Sequence, residues 1–286
     1  MNPLVSVVLS LVAWVGGMLL VAGIAIIGPR RLYDLWDGWI PRLRDAKYQL
    51  AALGVVLAVS AVGRGVLVDL SRIVGFQLTG AIYWLEGDFV AWLQATFVVP
   101  ELTMYFSWVY VYGYVFLLVF PFIAYAALPK SAMLKRLIVA YALNYGIGLI
   151  LYTLVFAHGP RNMMPDMVTS LLYTYNPDLQ ALTSEVNENT NVFPSLHTSL
   201  AVTAAAFGVL TRDEYPLWTP LAGWLALSVV IATMYLGIHW LTDVIGGIIL
   251  ALGSVALAYR LVDSDDTGVE VNNESEGGDA PEPSGE

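Results

Sequence analysis

Apolar residues gather into seven long runs, at roughly 3–28, 50–70, 103–127, 137–158, 196–211, 217–236 and 241–262, separated by polar or charged stretches. A helix needs about 20 predominantly apolar residues to cross the hydrocarbon of a bilayer. The pattern predicts an all-α, polytopic transmembrane helix bundle of about six to seven spans. The 196–211 run is short and is expected to extend through its flanks. The first run is too long for a cleaved signal peptide and has no basic region before it, so it is read as a retained span.

Charge gives the bundle a direction. Arg30, Arg31, Arg42, Arg44 and Lys47 lie in the loop after the first run, Lys130, Lys135 and Arg136 in the loop after the third, and Arg212 and Arg260 at later ends on the same side. That collects 10 of the 13 bases on one face. By the positive-inside rule this face is cytoplasmic, which puts the N-terminus outside and the C-terminus in the cytoplasm. The expected location is the cell membrane, multi-pass. Composition agrees with the class, since 58% of the residues are hydrophobic and only 13% charged, against about 25% charged in soluble domains. No cysteine is present, which excludes disulfides, thiol nucleophiles and cysteine-bound metals. The net charge of −10 comes largely from nine acids after residue 262. Residues 1–262 are therefore read as the transmembrane domain and 263–286 as a disordered acidic tail.

Three further stretches carry a pattern. Residues 76–100 are rich in aromatics and hold Glu86 and Asp88; they read as an interfacial helix or aromatic belt, with a lipid-entry gate as the second reading. The third run contains Tyr105, Phe106, Trp108, Tyr110, Tyr112, Tyr114 and Phe116, a density that usually signals packing or lipid contact. Arg64, inside the second run, reads as a snorkelling side chain. The long loop 162–193 leads into a histidine motif and reads as a lid.

Chemistry concentrates at two histidine motifs, Phe193-Pro194-Ser195-Leu196-His197 and His239-Trp240-Leu241-Thr242-Asp243, whose histidines stand 42 positions apart (239 − 197). Two membrane crossings and a turn use up about that many residues, so both histidines return to one face, opposite the basic one. His239 and Asp243 share a helix face, and a carboxylate on one ring nitrogen makes the other a better nucleophile or ligand. Alone, this spacing is better explained by a structural pair that caps a helix at the interface. Pro194 and Ser195 open a helix whose free amides could hold an anion, with the Ser195 hydroxyl and His197 beside it. Arg161 is the only base in the loop before these motifs and could grip a phosphate through two hydrogen bonds; an ordinary interfacial arginine is the alternative. His158 reads as structural or supporting.

Residues 193–247 resemble the type 2 phosphatidic acid phosphatase superfamily, whose members carry P-S-G-H and then S-R-x5-H-x3-D. Here these read Pro194-Ser195-Leu196-His197 and Ala232-Thr233-x5-His239-x3-Asp243, followed by Gly246-Gly247. The first family motif, K-x6-R-P, is worn: Leu154 stands at the lysine position and Asn162 follows Arg161, while Thr233 replaces the family arginine before the nucleophile. These departures look like the inositolphosphotransferase and sphingomyelin-synthase-like branch, with a catalytic core over about 103–262. The resemblance implies that His239 attacks phosphorus to give a phosphohistidine, Asp243 orients it, and His197 protonates the leaving alkoxide and then activates the acceptor. Arg161 and Ser195 would hold the phosphate. No metal or other cofactor is implied. The expected function is a lipid phosphatase or phosphotransferase working at the outer membrane face. Its expected partners are the bilayer and a membrane lipid phosphate or phospholipid substrate, with no nucleic acid. A rhodopsin-like photoreceptor is excluded because the last run holds no lysine for a Schiff base. A non-catalytic transporter or scaffold with a degenerate site is the remaining alternative.

Overall fold

The computed structural model describes residues 3–172 and 191–262. The acidic tail, most of the expected lid (173–190) and the side chain of Arg64 lie outside the described residues. Each of the seven apolar runs forms a helix. The first is α1 (Pro3–Ala22), prolonged by a π turn over Gly23–Ile27. The loop expected after it is itself helical: α2 (Pro29–Asp45) begins with proline at its first turn, where the missing amide costs nothing. Leu32, Trp36, Trp39 and Leu43 share one side of α2, and Arg30, Asp34, Asp37 and Arg44 the other, which is the 3.6-residue period of a helix lying along a bilayer surface. Trp36 is 80% exposed and nothing in α2 is buried. The chain then bends by 72° into α3 (Lys47–Val74).

Two short helices follow, α4 (Thr79–Glu86) and α5 (Phe89–Phe97). Next comes α6 (Pro100–Trp108), continued by a π turn over Val109–Gly113 and then by α7 (Tyr114–Ala126). The rest of the bundle is α8 (Ala132–Leu154), a single turn α9 (Pro160–Met163), α10 (Leu196–Leu210), α11 (Trp218–Tyr235) and α12 (Leu241–Leu261). The one strand pairing among the described residues is a two-residue parallel match of β1 (Phe76–Gln77) with β2 (Val155–Phe156), which ties the end of α3 to the end of α8.

The chain is thus an all-α membrane bundle. Five of its helices are long and apolar enough to span, and the bent α2–α3 pair raises the count to six. The 196–211 run does not lengthen through its flanks as expected. Pro194 and Ser195 cap it at one end, a turn at Thr211 closes it at the other, and α10 stays at 15 residues. Packing makes this short helix tolerable. Leu200, Ala201, Ala204 and Phe207 are fully enclosed, and Asn144 of α8 bonds across to Ser199 and to Thr203 (3.1 Å). Interhelical hydrogen bonds of this kind contribute about 0.6 kcal/mol each in a membrane, and they fix the register of α8 against α10.

The two ends of the bundle differ in kind. At one end Arg31 pairs with Glu214 at 2.8 Å and lies over the Tyr215 ring. The buried Lys135 pairs with Asp45 at 3.1 Å, and Arg136 lies over Tyr259 while bonding to the Val262 carbonyl. This draws α2, α8, the turn after α10 and the end of α12 together. The opposite end holds the histidine motifs.

Candidate active site

The second motif sits on a tight connection. α11 stops at Tyr235, and the amides of Ile238 and His239 both donate to the Thr233 carbonyl at 3.1 Å. Gly237 completes the turn at φ +75°, a conformation that L side chains rarely adopt, and a Cβ there would stand 2.8 Å from Val168. α12 starts immediately afterwards. Asp243 in its first turn accepts from the Trp240 amide at 2.8 Å and lies 3.4 Å from His239 Nδ1 through the same oxygen. Both side chains are buried, Asp243 completely. His239 itself precedes the helix, whose first residue is Leu241, so the pair does not arise from the shared helix face expected of the spacing; it forms because Asp243 turns back over the helix start to cap Trp240 and meets the imidazole there. With its acceptor-only partner on the Nδ1 side, His239 is left with Nε2 as its free nitrogen.

The first motif crosses directly over the second. The Ser195 amide donates to the Asp243 carbonyl at 3.0 Å. Gly247 permits that approach, because a Cβ on it would fall 2.5 Å from the Ser195 carbonyl oxygen. A Cβ on Gly246 would fall 2.8 Å from the Phe193 ring. The two glycines are thus a crossing point between two helix starts. Ser195 is fully buried, and its hydroxyl oxygen accepts from the Thr198 amide at 3.3 Å, so it caps α10 as predicted while its own proton stays available to donate. His197, in the first turn of α10, is half-buried between aromatic neighbours: the Tyr110 ring lies 4.5 Å away at 17°, and the Tyr114 ring 4.4 Å away at 35°. The Tyr110 hydroxyl is 3.5 Å from His197 Nδ1.

Arg161 joins this end through its backbone. Its amide donates to the Gly237 carbonyl at 3.3 Å, and Gly159 lets the segment pass so close that a Cβ would meet the Ile238 carbonyl at 2.6 Å. The arginine is therefore pinned beside the turn that carries His239. The neighbouring His158 contributes main chain: its carbonyl accepts from Trp240 Nε1 at 2.8 Å, its amide bonds to Thr79, and its ring is exposed. At the worn motif positions no charge is found. Thr233 is buried with its hydroxyl on the Val230 carbonyl at 2.7 Å, and Leu154 is 47% exposed at the end of α8. Among the described residues no three His, Cys, Asp or Glu side chains group closely enough to hold a metal ion.

Sequence reasoning missed the struts. Glu86, at the end of α4, accepts from the Leu241 and Thr242 amides at 2.8 and 2.6 Å and so caps α12 from a distant part of the chain. Gln94, buried in α5, donates to the carbonyls of Tyr235 and Thr169 at 2.9 and 3.0 Å and accepts from the Thr169 amide at 2.8 Å. The 76–100 segment has the outward apolar face expected of an interfacial element, with Trp84 86% exposed. Its inner edge, however, braces the turn that carries His239. The available signal was a lone acid and a lone amide in an otherwise aromatic stretch. Tyr110 and Tyr114, expected from the sequence to serve packing or lipid contact, pack against the His197 imidazole.

A family model described as the PAP2 superfamily matches residues 78–257, beginning at α4 and taking in both struts and both histidine motifs. No curated protein and no solved structure matches the chain.

Proposed function

The chain belongs to the PAP2 superfamily, and from that premise we propose that it is an integral-membrane enzyme that cleaves or transfers a lipid phosphoester through a phosphohistidine on His239. Members of the superfamily are phosphatases or phosphotransferases. The observation that carries the proposal is the buried His239–Asp243 pair held by one main-chain hydrogen bond to the helix start that bears His197. In the proposed reaction His239 attacks phosphorus in line with the leaving oxygen, forming a P–N bond as the P–O bond breaks. Asp243 keeps the Nδ1 proton and stabilises the charge that develops on the ring. His197 gives its proton to the departing alkoxide, then takes one from water or an alcohol as that acceptor displaces His239. Arg161, the Ser195 hydroxyl and the first amides of α10 would hold the remaining phosphate oxygens. The first amides of α12 are unsuited to that role, because Glu86 already occupies them.

Two finer points follow from the same features. Neutral residues at the positions of two family cations favour a phosphate bearing less charge than a free diphosphate, as in head-group transfer by the inositolphosphotransferase and sphingomyelin-synthase-like branch. The bases gathered at the far end support an outward-facing site, since positive ends stay cytoplasmic. The test is incubation of the purified protein with labelled lipid phosphates and phosphodiesters, with and without an alcohol acceptor. Release of inorganic phosphate indicates hydrolysis, and a new phosphodiester indicates transfer. No conversion of any lipid, with His239 intact, would refute the proposal.

A further inference from the structure

We propose that Tyr110, set with Tyr114 against His197 by the π turn of the third long helix, is a positioning residue whose hydroxyl serves both protonation states of the acid–base imidazole. The inference rests on the reading of His197 as general acid and base. Over Val109–Gly113 the helix widens, and the Tyr114 amide bonds to the Val109 carbonyl five residues back. Such a turn inserts one residue and changes the facing of all that follows, and π turns of this kind recur at functional sites. Here the outcome is specific. Two tyrosines four positions apart both lie within 4.5 Å, centroid to centroid, of one imidazole. Tyr110 is 3% exposed, and its hydroxyl reaches Nδ1 of that ring.

The two imidazoles have different kinds of partner, and the difference suits different work. A carboxylate only accepts. It therefore locks His239 with a proton on Nδ1 and a lone pair on Nε2, as a nucleophile requires throughout. A hydroxyl both donates and accepts. When His197 is an imidazolium, its Nδ1–H donates to the Tyr110 oxygen. After Nε2 has passed its proton to the leaving alkoxide, the same Nδ1–H bond holds the neutral ring with its Nε2 lone pair aimed at the incoming acceptor. Should the ring carry its proton on Nε2 instead, the hydroxyl turns and donates to Nδ1. No protonation state leaves a buried polar atom stranded, and the ring need not rotate between the two half-reactions.

The experiment compares Tyr110→Phe, which keeps the ring and deletes the hydroxyl, with His197→Ala and the unaltered full chain in proteoliposomes. The substrates are a p-nitrophenyl and a primary-alkyl ester of the same phosphoryl group. Proton donation matters for the alkoxide and little for p-nitrophenolate, and general acid catalysis is worth about 10²–10⁴-fold in total. Tyr110→Phe is expected to lower kcat/KM about tenfold or more for the alkyl ester and about threefold or less for the p-nitrophenyl ester. It should also lengthen the lifetime of the phosphoenzyme formed from the p-nitrophenyl ester, because His197 must then act as base. A lifetime measured on the residual folded fraction serves even if the variant expresses poorly. Equal losses on both esters, or no loss on either, would overturn the proposal. If His197→Ala itself shows no dependence on the leaving group, the acid–base reading of His197 fails first, and this inference fails with it.

Discussion

The crossing of α10 over α12 can be perturbed one methyl group at a time. In Gly247→Ala the new Cβ would lie 2.5 Å from the Ser195 carbonyl oxygen, whereas ordinary contact begins at 3.4 Å. The obstacle is main chain, so relief requires the two helix starts to part by up to 3.4 − 2.5 = 0.9 Å. That movement strains the 3.0 Å bond from the Ser195 amide to the Asp243 carbonyl and draws His197 away from His239. Overpacking of this kind costs about 1–3 kcal/mol in stability, and a misplacement of about 1 Å at reacting groups costs about a hundredfold in rate. Gly247→Ala is therefore expected to lower kcat about a hundredfold with a modest fall in thermal midpoint. Gly246→Ala meets the Phe193 ring at 2.8 Å and should do less harm, because a side chain can shift. Gly253→Ala, in the same helix, meets nothing within 4 Å and should be neutral or stabilising by about 0.5–1 kcal/mol, since alanine is the better helix former. The assay is steady-state turnover of a lipid phosphoester beside thermal unfolding in detergent. If Gly247→Ala matched Gly253→Ala in turnover, the close crossing would not be what sets the site.

Four further outcomes are expected. His239→Ala should abolish both turnover and the acid-labile phosphoenzyme seen on acid quenching of labelled substrate. Arg161→Ala should cost about tenfold to hundredfold in kcat/KM, in line with about 1.5–3 kcal/mol for a hydrogen bond to a charged group, and Arg161→Lys should recover little because a point charge lacks the planar fork; a larger loss from Arg72→Ala would move the phosphate anchor elsewhere. Glu86→Ala should lower the thermal midpoint by removing a cap worth about 0.5–2 kcal/mol and reduce kcat more than it alters KM, with Glu86→Gln recovering part of both by accepting from one amide. In this cysteine-free chain, single cysteines at the exposed Asp166 and Asp213 should react oppositely with an impermeant thiol reagent in intact cells, Asp166 freely and Asp213 only after permeabilisation, and equal labelling would refute the outward-facing site.

Much of this architecture was legible in the chain because it follows from local rules. A run of about 20 apolar residues has few stable alternatives to a helix in a bilayer, and all seven runs are helical. The Ser195 cap follows from the residue type at one helix start, whereas the His239–Asp243 pair, expected from helical spacing, forms instead across the start of α12, with His239 still outside the helix. What local patterns could not supply were distances between segments far apart in sequence. Glu86 reaches Leu241 across 155 positions and Gln94 reaches Tyr235 across 141, and neither sits in a motif. The amphipathic α2 was hidden for another reason: its polar and apolar residues alternate with helical period, so no continuous run marks it.

By itself the sequence determined the class of the protein, the helices of the seven apolar runs, and which residues carry reactive groups, since hydrophobic length and side-chain chemistry are properties of short segments. Only the tertiary structure decided that Asp243 and Ser195 share a hydrogen bond at a glycine crossing, that Tyr110 and Tyr114 enclose His197, and that Glu86 occupies the start of α12. Those choices depend on which helix faces meet and how closely, and close approach is set by the absence of side-chain atoms at a few glycines together with the need to satisfy every buried amide.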